Sequence, residues 1–142
     1  FQNCLLHYGE LLVTDATKGL METSSPIEFI HNALIQNAKE ARNPDEKKGC
    51  FIMNTIVEFA QRDPKISEIV TAHLTAMKKV FTQAISSAQA HGDISTQASP
   101  IELADYLMTT IIGLKTLVKS GASGNKIKKI AHITISSLKN IA

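Results

Sequence analysis

The chain has 142 residues, 44% of them hydrophobic and 20% charged, with 15 Lys and Arg against 13 Asp and Glu for a formal charge of +2. That is enough for one domain with a continuous apolar core and too little for two, and the charge is too balanced for the dense basic surface that DNA phosphates demand. No apolar run reaches the ~18 residues of a membrane span, and the N-terminus lacks the basic-then-apolar order of a signal peptide, so no membrane partner is expected and the cytoplasm is the expected compartment.

Proline and glycine fall only at apparent boundaries, and alternating β-branched runs never persist, so the pattern predicts an all-α chain of six helices. The first is expected over Phe1 to Glu22, with Phe1, Cys4, Leu5, Tyr8, Leu11 and Leu12 on one face. Ser25-Pro26-Ile27-Glu28 starts the second, with serine as N-cap, proline at the first helical position and Glu28 placed to return a hydrogen bond. The polar stretch from Asn43 to Gly49 ends it. A third helix from Cys50 to Gln61 is apolar nearly all round and so expected to be central. Cys4 and Cys50 both have apolar neighbours, which favours buried free thiols over a disulfide.

Asp63 caps a fourth helix from Pro64 to Ala90, closed by His91-Gly92, whose inward face reads Ile66, Ile69, Val70, His73, Met77, Val80, Phe81 and Ala84. Ser99-Pro100-Ile101-Glu102 repeats the earlier capping chemistry at the start of a fifth helix, which runs to Ser120. The sixth covers Asn125 to Ile141. At about 100° per residue, the apolar positions of the sixth helix span about 200°, twice what a one-sided surface helix needs, and the fifth is wider still. Two helices that each need two apolar neighbours predict a homodimer, in which they form a four-helix bundle with their copies. Ile101, Met108, Ile112, Ile127, Ile130, Ala131, Thr134 and Leu138 are the residues expected at that interface.

No catalytic constellation is visible: the five histidines are scattered, and no serine or cysteine has a nucleophile setting. Glu28-x-x-His31 has the spacing of di-iron bundle ligands, but that architecture needs the motif twice, so neither a metal nor any cofactor is expected. His73, at the centre of the fourth helix's apolar face, is either a core histidine bonded to a carbonyl or a tyrosine, or a polar contact inside an apolar ligand cavity. Asn54 poses the same choice. A cavity among helices one, three, four and five would take Met53, Met77, Phe81 and Thr110 as walls, and His73, Asn54, Tyr8 and Tyr106 as polar groups. A helix-turn-helix over Leu117 to Leu138, with Lys126, Lys128 and Lys129 for phosphates, has too long a turn and too little free face, so those lysines read as a solvated stripe.

Gly49-Cys50-Phe51-Ile52-Met53-Asn54-Thr55, then Asp63-Pro64, then Gly113-Leu114-Lys115-Thr116-Leu117 ahead of Gly121-Ala122-Ser123 together resemble the regulatory domain of TetR-family transcriptional repressors. The likeness covers most of the chain, strongest from Gly49 to Ser123, and rests on the order of these segments. It implies that residues 1–142 form one ligand-binding and dimerising domain. Its effector would be a small hydrophobic or amphipathic molecule, and operator DNA would be contacted only by a helix-turn-helix upstream of Phe1. A helical adaptor without ligand and a helical-bundle enzyme are the alternatives.

Overall fold

A computed structural model describes residues 1–43, 51–59 and 61–141, without the side chains of residues 51–53 and 57. It contains α1 (Gln2–Glu22), α2 (Pro26–Arg42), α3 (Phe51–Phe59), α4 (Pro64–Ala90), α5 (Pro100–Lys119) and α6 (Gly124–Asn140). The all-α expectation holds, with every helix near its predicted limits.

Local chemistry explains the boundaries. Asp63 accepts hydrogen bonds from the backbone N–H groups of Lys65 and Ile66 at 3.0 and 3.3 Å, while Pro64 fills a first-turn position whose N–H would have no partner. Ser99 and Glu102 form a complete capping box. Ser25 forms only half of one: it accepts from the Glu28 N–H, but its own N–H donates to Thr23 Oγ1 at 3.2 Å. Gly92 and Gly121 follow α4 and α5 at φ 81° and 93°, left-handed conformations that glycine adopts without a Cβ clash.

The main core is built by α2, α4, α5 and α6. Leu34, Phe81, Ile85, Leu107, Leu114, Ile127 and Leu138 are all buried in it. Lys78 reaches Asp105 at 2.7 Å between α4 and α5, and Lys115 reaches Glu40 at 3.7 Å between α5 and α2. The α4–α5 connection is pinned from both sides. Gln89 Nε2 donates to the carbonyls of Ser95 and Ala98 at 2.9 Å each, while Ser95 donates through its N–H to Leu138 and through its hydroxyl to Ile141.

A second, smaller cluster of Leu5, Ile66 and Val70 joins α1 to the start of α4, flanked by Tyr8, Leu12, Ile56 and Phe59. Helix α3 packs here, against α4 and α1. Of its described side chains, Thr55 is buried, while Ile56 and Phe59 pack against the smaller cluster. Cys4 is exposed rather than buried, because the inward stripe of α1 runs through Leu5 and Gly9 and leaves Cys4 outside it. Cys50 and the Gly49 turn lie outside the described residues.

Candidate functional site

Where α1 crosses α4, Gly9 lies directly against His73: a Cβ at position 9 would stand 3.1 Å from His73 Nδ1. The absence of a side chain on α1 admits the ring into the seam. Nδ1 is buried there with no hydrogen-bond partner of acceptable geometry. Burial lowers the His73 pKa below its ordinary value by penalising the charged form, and the neighbouring Gly9 backbone offsets only part of this. The neutral form of the ring is thereby favoured, and Nδ1 has at most an irregular hydrogen bond to the Gly9 backbone. It lines a groove of ≈ 320 Å³ whose walls include Leu6, Val13, Ile69 and Ala76, and whose other polar groups are Glu10 and Thr14.

The remaining expected pocket residues do not gather around it. Tyr8 is half-buried beside the small cluster. Met77 packs against the main core, and Phe81 lies within it with its ring centroid 6.0 Å from that of Phe29. Phe81 is thus a buried residue of the main core. Asn54 accepts a hydrogen bond from Lys119 Nζ at 2.7 Å, tying α3 to the end of α5. Thr110 donates to the Tyr106 carbonyl one turn back at 3.0 Å. Tyr106 lines a different groove, between α5 and α6. The Met53 side chain lies outside the described residues.

The expected dimer face divides in two. Ile127, Ala131, Thr134 and Leu138 are buried within the chain, so their place is corrected from an outer surface to the inner face of α6. Ile101 is 57% exposed, and Met108, Ile112 and Ile130 are half-buried. Sequence reasoning missed Ile133, which is 65% exposed, and the exposed Ile141. With Tyr106 they line a groove of ≈ 890 Å³ on the outside of α5 and α6. The breadth of the α6 arc was the signal available: with Ile127, Ala131 and Leu138 inward, Ile133 falls on the opposite side of the helix.

The histidines are less scattered than their spacing suggests, because His31 of α2 and His132 of α6 stack with ring centroids 5.8 Å apart. Lys126, Lys128 and Lys129 are exposed, as expected of a solvated stripe. No described helix is long and apolar enough to cross a membrane.

Four helices thus share the main core, with α6 packed on α2 and α5, while α1 and α3 meet α4 at the second cluster. Residues 31–132 match the family described as "Tetracyclin repressor-like, C-terminal domain", and the chain belongs to that family. It is similar to the HTH-type transcriptional regulator YezE of Bacillus subtilis (strain 168), 21% identical over 112 residues that span 78% of this chain and 58% of that protein. It is also similar to the HTH-type transcriptional repressor ComR of Escherichia coli (strain K12), 25% identical over 91 residues covering 64% of this chain and 43% of that protein. The chain thus spans about half the length of these relatives. Its fold matches a TetR transcriptional regulator from Chloroflexus aurantiacus J-10-FL with a TM-score of 0.78 and 18% identity, over 96% of this chain and 69% of that one. Fold and family are those of transcriptional regulators rather than enzymes.

Proposed function

We propose that this chain is the effector-sensing and dimerising domain of a transcriptional repressor. The operator would be bound by a helix-turn-helix that precedes Phe1 in the whole protein. The observation that carries the sensing role is the α1–α4 seam, where an apolar groove is lined by a buried histidine nitrogen that makes no hydrogen bond of regular geometry. A small hydrophobic or amphipathic effector supplying such a bond binds one position of α1 better than another, and only such a difference can shift the equilibrium. Because α1 leads toward the N-terminus, its position sets the spacing of two DNA-binding heads in a dimer. The exposed apolar surface of Ile101, Tyr106, Ile133 and Ile141 supports dimerisation through α5 and α6. A dimerising module that senses nothing is the second reading, favoured by the burial of Phe81 in the main core rather than in the α1–α4 groove.

Sedimentation velocity at micromolar concentration tests the first half: the parent chain sediments as a dimer, and Ile133→Glu shifts it toward monomer. Thermal unfolding with fatty acids, uncharged aromatics and hydrophobic amines, each below its aggregation concentration, tests the second. A compound that raises the parent's Tm but not that of His73→Leu supports sensing at the seam. A dimeric parent whose Tm no compound moves leaves the ligand-free module, and a monomeric parent removes both readings.

A further inference from the structure

His31 and His132 come from distant parts of the chain, yet their rings lie across the α2–α6 seam with centroids 5.8 Å apart and planes 19° from parallel. Both line one groove of ≈ 400 Å³, together with Glu28, one turn before His31, and Ser136, one turn after His132. The ring pair is not needed to hold the seam, because Ile127, Ala131 and Leu138 already bury the inner face of α6.

Imidazoles are ligands for Zn²⁺, Ni²⁺ and Cu²⁺, and two of them on neighbouring packed helices can share one ion. With metal–nitrogen bonds of about 2.0–2.1 Å, each ring centre stands about 3 Å from a shared ion, so two rings on one tetrahedral ion have centres about 5–6 Å apart. The observed rings are stacked at 5.8 Å, so rotation of each about its side-chain bonds is what would aim both at one ion. From this juxtaposition the geometry points to a cation site: His31 and His132 together bind one divalent first-row transition ion, which clamps α2 to α6.

Among the described residues no three histidine, cysteine or carboxylate side chains converge on a point that could hold a metal. The ion therefore has two protein ligands and keeps water in its other positions, with Glu28 and Ser136 near enough along their helices to receive hydrogen bonds from that water. Mg²⁺ and Ca²⁺ are poor occupants, since they require oxygen ligands that this pair lacks. Lys139 on the same groove opposes a cation and holds the affinity below that of a closed structural zinc centre. Turning both rings toward one ion requires only side-chain rotation, because His132 is exposed and His31 half-buried.

Calorimetric titration of Ni²⁺ and of Zn²⁺ into tag-free, EDTA-stripped protein near pH 7.5, with thermal unfolding in parallel, tests the site. The expected result is one ion per chain with a Kd in the micromolar range and a rise in Tm with excess ion. His31→Ala and His132→Ala should each weaken binding at least tenfold. Cys4 and His7 are exposed, three residues apart on α1, and form a rival donor pair, so Cys4→Ser/His7→Ala is measured alongside. Binding unchanged in that variant supports the proposal. No binding to the parent, binding that survives both single histidine substitutions, or binding lost only in the α1 variant overturns it. Should His31→Ala fail to fold, histidine side-chain NMR of the parent decides: Zn²⁺ must move the signals of His31 and His132 and leave that of His91 in place.

Discussion

The two hydrophobic clusters of this chain differ in size and in kind. The larger one interlocks α2, α4, α5 and α6 through side chains that are nearly all fully buried. The smaller one attaches α1 through Leu5, Ile66 and Val70, with a glycine and a histidine at its edge instead of an apolar pair. Apolar burial stabilises in rough proportion to area, so α1 can shift against α4 at a fraction of the cost of moving α5 or α6. The two regions are thus held by unequal amounts of buried apolar surface, although Leu20 at the far end of α1 also packs against the main core.

The largest test compares leucines from the two clusters, both fully buried. Leu34→Ala in the main core should cost about 3–5 kcal/mol in urea denaturation, because its packed surroundings cannot close over the void. Leu5→Ala should cost less, about 2–3 kcal/mol, since α1 can settle toward α4. Equal losses would erase the contrast.

The next effect is at the seam. Because the folded pKa of His73 is lowered, the unfolded chain takes up a proton first as pH falls. Its contribution is therefore fully present above about pH 6.5 and lost as pH falls toward the lower folded value. His73→Leu should flatten this part of the stability profile measured between about pH 5 and 7.5. It should also stabilise the neutral protein by about 1 kcal/mol, because a buried nitrogen that makes no hydrogen bond of regular geometry is removed. A parent and variant with parallel pH profiles would show that the ring is solvated.

Gly9→Ala should have the smallest effect. Alanine in a helix interior gains about 0.5–1 kcal/mol over glycine, but its Cβ presses on His73 Nδ1 at 3.1 Å. The two nearly cancel, leaving a change below about 0.5 kcal/mol in thermal unfolding. In a His73→Ala background the full helix gain should return. A full gain in the single variant would instead mean that the ring yields freely.

Helix number and limits could be read from the sequence because they depend on local chemistry: Asp63-Pro64, Ser99-Pro100 and the glycines after α4 and α5 act within one turn of themselves. The inner stripe of α4 was legible for the same reason, from the spacing of Ile66, Val70, Val80, Phe81 and Ala84. What periodicity could not supply was which of two apolar sides faces the chain's own core. Ile127 and Ile133 have equal hydrophobicity on one helix, yet only packing against α2 buries the first and exposes the second. The meeting of His31 with His132, and of Gly9 with His73, likewise depends on crossings between distant segments that no local pattern encodes.

Ser95 contributes its N–H and its hydroxyl to carbonyls at Leu138 and Ile141, which would otherwise be acceptors at the end of a helix with few partners. The terminal turn of α6 is thereby closed by a loop that belongs to a different part of the chain, so fraying of that turn and opening of the loop are a single event. In deuterated buffer the Ser95 amide should exchange at the rate set by release of the α6 terminus rather than at the rate typical of a surface connection. One backbone proton, read by NMR, then serves as a local gauge of how firmly the final helix is seated.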